Sequence, residues 1–350
     1  MSDRFFGPKL FIDMDAVARN YEVIKRLSGA AKVAAVLKAN AYGLGILPVV
    51  DRIAMRGCGE IFVFSSTEGA NVRANHPDIR INVLSGINPG EEDLFLDNAL
   101  SPVINTLRQH DLWSSLSGKK AMAVLNIETN PMQLGIAEKD WSAFTPEVLA
   151  AGNIDMIMLH FFCAEYGLDS ELVQKMNESN LRAFANVRNH FNLPISVGFD
   201  AFWISRGKLD ADHIRTGAAL HGIQVFHDME RLSPVMRVET DIIDVKSVGE
   251  RKIAVCYIGY SSGFSRGLAG KGKLFFKHDN VSHPVKILSV GMNMMRADVT
   301  DIPDEALEGS VVELLNSDYT INDMFADSGV LDTEIMTHLD IPYVKISRLV

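Results

Sequence analysis

Between Lys9 and about His221 the chain alternates short apolar runs with longer stretches in which apolar residues recur every three or four positions. Such alternation predicts repeated βα units around a parallel sheet. Residues 10–13 form the first strand-like run, and Val17, Tyr21, Ile24 and Leu27 then mark one face of a helix, with Asp15 near its start as a candidate cap. Strand-like runs recur at residues 33–37, 61–64, 81–84, 102–104, 121–127, 154–159 and 194–197, most of them separated by enough chain for a helix. With the first run included, the count approaches eight.

Beyond Val225 the texture changes. Residues 235–245, 252–258, 273–276, 285–290 and 309–315 read as strands with Gly and Pro between them, and residues 226–234 as a linker. The 350 residues divide most naturally into an α/β unit, a (β/α)8 TIM-like barrel over 9–225, and a C-terminal, mostly β domain over 235–350. Residues 1–8 are a candidate extension of the second domain. No internal repeat or low-complexity tract interrupts this division, so neither a solenoid nor a disordered tail is expected.

Composition narrows the function. Thirty-four basic against 44 acidic residues give a net charge of −10, which repels phosphate backbones and anionic lipid surfaces. Nucleic acid and membrane are therefore not expected as partners. Cys58, Cys163 and Cys256 are odd in number and scattered, which suits neither a disulfide framework nor a zinc site, and they read as small packing residues. The ten histidines form no HxxxH or His/Cys cluster, so no metal is expected. The N-terminal residues lack the apolar stretch of a secretory leader and no run reaches membrane-spanning length, which points to a cytoplasmic protein.

The most informative stretch is AVLKANAYGLG at residues 35–45, where an apolar strand ends in Lys38 and turns through small residues toward a helix. In a parallel barrel the C-terminal strand ends form the active face. A lysine there is expected to be partly desolvated, which favours the neutral amine that attacks an aldehyde to form an imine. Gly43 and Gly45 let backbone approach an anion, and Tyr42 has a hydroxyl to give to a phosphate oxygen.

This segment resembles the cofactor-lysine segment of alanine racemases nearly letter for letter, with Leu44 where that family usually has histidine. The similarity extends over most of the chain. It implies pyridoxal 5'-phosphate (PLP) attached to Lys38 in a barrel, a β domain, and a head-to-tail homodimer whose active sites are completed by the partner's β domain. The implied small-molecule partner is an amino acid. His160, in MLHFF at 158–162, matches a strand-end histidine that packs against the cofactor's pyridine ring. Arg215, in IRTGAALHG at 214–222, matches the family's RxGxxxYG segment with His221 in place of tyrosine, and its implied role is a hydrogen bond to the pyridine nitrogen. An arginine there stays charged and does not protonate that nitrogen, which suits racemisation better than decarboxylation or transamination. The implied phosphate binders include the backbone N–H groups of Gly217 and Ala218.

Several positions depart from the pattern. Gln133 stands where the family has an arginine supporting the substrate carboxylate, and Asn126 where a carbamylated lysine usually fixes that arginine. Glutamine can donate hydrogen bonds but lacks arginine's charge and bidentate fork, so recognition of a simple α-carboxylate is expected to be weaker or relocated. Asp200 replaces a serine that bonds the phosphate, and a carboxylate there is repelled unless protonated, turned away or bridged by a cation. The loop that carries the family's tyrosine base is missing after Glu250; Tyr260 matches a later tyrosine, while Tyr257 and Cys256 read as core packing or as substitutes for the base. Met292–Asn293 matches a methionine–aspartate pair, and the backbone contact of Met292 with substrate is what carries over.

The leading reading is a PLP-dependent amino-acid racemase, an isomerase interconverting L- and D-amino acids by α-proton abstraction, with Lys38 serving one face. The alternatives are a one-face PLP decarboxylase or lyase on an altered substrate, and a catalytically silent PLP-binding homologue.

Overall fold

The computed structural model describes residues 5–119, 121–161, 171–205, 208–224, 226, 228–278, 281–307 and 311–347. Cys163, Val225 and the first residues of the expected 309–315 strand lie outside them.

The first strand, β1 (Lys9–Asp13), forms where it was expected but pairs elsewhere. It runs antiparallel to β10 (Met236–Val248) and parallel to β16 (Tyr343–Ser347), within the C-terminal sheet. The barrel consists of β2 (Lys32–Val36), β3 (Glu60–Val63), β4 (Arg80–Val83), β5 (Ser101–Ile104), β6 (Ala123–Ile127), β7 (Ile154–Leu159), β8 (Ile195–Gly198) and β9 (His213–Thr216), closed in that order. The strand that completes the eight is thus β9, set against β2 through the pairs Ala34↔Arg215 and Ala35↔Thr216. Its HIRT sequence has no apolar run because Arg215 points into the barrel, which is why its pattern does not announce a strand.

Both faces of the barrel sheet are covered, so its strands read as continuous apolar runs; every residue of β6 is buried. Ala34, Phe62, Val103, Val124, Met156 and Met158 pack together in a small core of their own, apart from the larger core shared by strands and helices. That division matches a filled barrel interior inside a helical ring. The helix Met14–Leu27 enters this ring. Its cap is Asp13, whose carboxylate accepts the N–H groups of Asp15 and Ala16 at 2.8 and 3.0 Å, while Asp15 pairs with Arg52.

The C-terminal sheet adds β11 (Arg251–Cys256), β12 (Lys273–His278), β13 (Val281–Val290), β14 (Met295–Asp298) and β15 (Val311–Leu315). Strand β10 pairs with both β15 and β11, so the order β11-β14-β13-β12-β15-β10 returns on itself. Register shifts at Val238/Glu239 and Ile242/Asp244 let this 13-residue strand bend between its two partners. Residues before β1 are tied to the same sheet, since Asp241 accepts the Gly7 N–H and the Lys9 ammonium, each at 2.8 Å.

Candidate active site

The lysine segment takes an unusual backbone path. Ala39, Asn40, Ala41 and Tyr42 all have φ of 53–54°, a left-handed turn that begins directly after Lys38. For L-residues this conformation costs about 1–2 kcal/mol per residue, so something outside the turn must hold it. Gly43 ends it at φ 85°, where an added Cβ would meet the Met336 carbonyl at 2.8 Å, because the helix Asp332–His338 packs on the turn.

A cavity of about 600 Å³ opens beside the turn, lined by Lys38, Tyr42, Phe64, Glu68, Thr333 and His338. Lys38 is exposed within it. Among the described residues, only the helix Asp332–His338 covers the strand end, from one side, and it does not supply the partial desolvation expected of this amine.

Tyr42 lies buried behind the lysine with its ring 4.5 Å from that of His221. Burial, then the charges of Asp200 and Asp332, push its phenol well above the ordinary range, so it remains a hydroxyl donor at neutral pH. Its oxygen rests against Gly217, where any Cβ would run into it. The His221 Nδ1 is 2.8 Å from the Gly217 carbonyl, and burial holds its pKa down to about 4, so the ring is neutral. Ala218 opens the short 3-10 turn Ala218–His221 that follows.

Arg215 is buried on β9. Its guanidinium donates to Ser196 Oγ at 2.9 Å and to the Leu159 carbonyl at 2.7 Å, and lies 5.6 Å from the Phe62 ring. Burial lowers its pKa to about 10, which still leaves it fully charged near neutrality. His160 follows the end of β7 next to that anchoring carbonyl. Desolvation, then repulsion from Arg215 and Lys38, lowers its pKa to about 4 and leaves it neutral, although the residue as a whole is exposed.

Gln133 is half-buried in the turn after β6 and accepts the Thr129 hydroxyl at 3.2 Å; that hydroxyl is also 2.5 Å from the His160 carbonyl. Asn126 donates to Asn105 Oδ1 and to the Leu134 carbonyl, at 2.8 and 2.9 Å. These contacts hold the amide of Asn126 to the barrel wall and the amide of Gln133 to Thr129. Met292 does not line the Lys38 cavity; it stands 59% exposed on the β domain, its carbonyl accepting the Ser261 N–H at 2.9 Å.

The connection between β10 and β11 is short. Val248 pairs directly with Arg251, leaving a two-residue turn in which Gly249 takes φ 62°. This hairpin has no room for a base-bearing insertion. Cys256 packs fully in the core, and burial pushes its thiol up to about 12, which removes it as a base near neutrality. Tyr257 is 38% exposed with its ring 6.0 Å from Phe6, and Tyr260 is 43% exposed.

The residues present suit a phosphate-bearing ring. Thr216 Oγ1, beside Gly217, is buried without a hydrogen-bond partner and can donate to an anion, as can the Tyr42 hydroxyl that occupies the space left by the missing Gly217 side chain. Asn126 Oδ1 and His221 Nε2 are also unpartnered but can only accept, because the neutral His221 ring gives its proton to the Gly217 carbonyl through Nδ1. Orphaned polar atoms of this kind are rare unless a ligand or water satisfies them. Asp200 is the exception to the fit. Burial, then the charge of Asp332, raises its carboxyl from 3.8 to about 6, so near neutrality it is mostly a carboxylate beside a phosphate cradle. Asp200→Asn is accordingly expected to tighten PLP binding at pH 7.5 on the order of tenfold, with the advantage shrinking below pH 6 as the parent's Asp200 takes up a proton. Titration of the apoprotein with PLP at the two pH values checks this; equal affinities in parent and variant would contradict it.

Two features of the cavity escape sequence reading. Glu68 is the N3 residue of a capping box with Ser65, a legible signal for a helix start but not for a place beside Lys38. Thr333 and His338 come from the far end of the chain, and only the folded arrangement brings their helix to the barrel mouth.

A lysine at the C-terminal mouth of a closed parallel barrel, followed by a β domain that helps cover it, defines a two-domain barrel enzyme. Family models agree in detail: residues 12–225 match the N-terminal domain of alanine racemase and residues 243–346 its C-terminal domain. The chain belongs to the alanine racemase family. It is 28% identical to the alanine racemase of Rhizobium meliloti, covering 95% of this chain and 94% of the relative. The Brucella abortus alanine racemase is likewise 28% identical, over 97% and 93%. Among solved structures, the Bartonella henselae alanine racemase with covalently bound pyridoxal phosphate superposes with a TM-score of 0.86 at 24% identity, covering 98% of this chain and all of that one. The biosynthetic alanine racemase of Pseudomonas aeruginosa gives 0.85 at 22% identity, over 98% of this chain and 100% of that one.

Proposed function

We propose that this protein is a PLP-dependent amino-acid racemase in which Lys38 anchors the cofactor and moves the α-proton on one face. The observation that carries the reading is Lys38 at the end of β2, opening into the cavity that the buried Tyr42 also lines. PLP, when bound, supplies an electron-withdrawing ring that acidifies the α-hydrogen of an amino acid joined to it.

The chain's own residues set how far that acidification goes. Arg215 stays charged and could only donate a hydrogen bond to that ring's nitrogen, not a proton, which would favour return of the α-proton over loss of carbon dioxide. The neutral His160 imidazole offers a face for packing and adds no competing charge. Tyr42, with the N–H groups of Gly217 and Ala218, would receive the phosphate, and the unpartnered Thr216 hydroxyl would be a further donor. Gln133 and the Met292 backbone are the proposed substrate contacts, the former by hydrogen bond without a counter-charge for the carboxylate.

The second face needs a base, and the two-residue β10–β11 turn leaves no loop to present a tyrosine there. We place it on a partner subunit. The β domain exposes Tyr257, Tyr260, Met292 and Met294, and the barrel mouth exposes Phe64, Met132 and Leu134, a distribution that suits a shared homodimer interface. Sedimentation of the PLP-loaded protein is expected to give a dimer; full activity from a monomer would contradict the shared site. The cytoplasm is the proposed compartment: the described thiols, Cys58 and Cys256, are free and buried, and no described helix is long and apolar enough to cross a membrane.

The racemase reading is tested by chiral chromatography after incubation with single enantiomers, beginning with alanine and extending to a panel of side chains. At least one substrate is expected to invert. A panel in which none inverts would overturn it.

A further inference from the structure

We propose that Glu68 is the positioning residue for the lysine segment, a role that rests on Lys38 being the cofactor lysine. One carboxylate spans two loops of the barrel mouth. Its Oε1 accepts the Asn40 N–H at 2.9 Å, within the left-handed turn, and its Oε2 accepts the Phe64 and Ser65 N–H groups at 2.9 and 3.2 Å, after β3. A capping box requires only the bond to Ser65. The bond to Asn40 exceeds that requirement, and it reaches the middle of the strained segment.

The turn's other bonds do not perform this task. Ala41 N–H to Leu37, Gly43 to Ala39, Leu44 to Ala41 and Gly45 to Asn40 all close within the segment itself, as does the Ile46 N–H to Asn40 Oδ1 at 2.9 Å. They shape the turn, and the Leu37 N–H on the Phe62 carbonyl at 2.7 Å ties its entry to β3, but neither fixes the middle of the turn. Glu68 couples that shape to β3 and the helix Ser66–Arg73, while the helix Asp332–His338 packs on the turn at Gly43. Lys38 at one end of the turn and Tyr42 at the other are thereby held in one frame. Glutamine is a poor replacement although it has nearly the same shape. All three groups facing the carboxylate are N–H donors, so the amide NH2 must confront one of them.

The test uses Glu68→Gln and Glu68→Ala, with Thr106→Ala, which removes the cap of a different barrel helix, as a control. Two readouts are taken on the full chain: hydrogen–deuterium exchange of the peptide containing Asn40, and borohydride trapping of PLP on Lys38 followed by peptide mapping. In both Glu68 variants the Asn40 amide is expected to exchange at least about tenfold faster. Trapping at Lys38 is expected to slow by about a hundredfold, the effect of misplacing a reacting group by roughly 1 Å. Thr106→Ala is expected to change neither. Unaltered exchange or trapping in Glu68→Ala, or equal changes in Thr106→Ala, would overturn the proposal. A parent that PLP does not label at Lys38 rejects the functional reading instead, and the exchange readout alone then decides whether Glu68 holds the turn.

Discussion

Lys38→Ala is expected to lose racemisation, with kcat/KM falling by at least about a thousandfold and covalent PLP disappearing from the protein. The amine has two tasks, since it anchors the cofactor and carries the proton on one face, and Lys38 is the amine that lines the described cavity. Lys38→Arg is the sharper variant. It keeps the positive charge in place but cannot form an imine, so it should fail as badly as alanine if covalent attachment matters and recover substantially if charge alone does. Borohydride reduction of the parent followed by peptide mapping should label Lys38; a label elsewhere removes the residue from the mechanism.

Glu60→Ala is expected to cost about 3–5 kcal/mol of stability, the largest loss anticipated from a single change outside the active face. Glu60 begins β3 at the end of the barrel opposite Lys38. Its carboxylate meets His213 Nδ1 and Asn82 Nδ2, each at 2.9 Å, while Arg80 pairs with it at 3.4 Å and with Asp155 at 2.6 Å. These residues belong to β3, β4, β7 and β9, so the network joins strands that are far apart in sequence. Removing Glu60 leaves the other polar groups partly buried with a missing partner. Burial alone would raise the Glu60 pKa, but the His213 hydrogen bond, the charges of Arg80 and His213, and the Asn82 hydrogen bond outweigh it, so the folded value lies below the ordinary 4.5. The contribution is therefore complete above pH 4.5 and lost as pH falls through the lowered folded value. Urea unfolding from pH 7 down to pH 3 should show the parent losing stability on this acid limb and Glu60→Ala losing less of it. A cost near zero at pH 7 would place the network among exposed, ineffective ion pairs.

The barrel was legible because most of its strands are apolar on both faces and stand at regular intervals. The exception is instructive. Residues 10–13 carry an ordinary strand pattern, yet they serve the second sheet; β9 carries Arg215 into the interior and so hides its strand character. Local periodicity reports burial and conformation, whereas the choice of sheet depends on partners remote in sequence. The same limit governs the site. Lys38, Tyr42 and Arg215 stand in segments whose spacing is distinctive, and Tyr42 and Gly217 do meet. Glu68 has a local signature only for capping, and the helix Asp332–His338 shows nothing in its sequence of the turn it covers. From the resemblance no loop is expected after Glu250, and the Val248↔Arg251 pairing shows that the hairpin closes tightly there.

The central claim is that Lys38 and a group on the opposite face invert an amino acid through its α-carbon, and solvent isotope incorporation tests it most directly. The PLP-loaded protein would be incubated in D2O with a single enantiomer of each accepted amino acid, and exchange at the α-carbon followed by mass spectrometry alongside chiral separation. Deuterium is expected in the inverted product from the first turnover, with both exchange and inversion absent in Lys38→Ala. PLP held on Lys38 without exchange or inversion, or release of carbon dioxide or ammonia in place of inversion, would contradict the claim.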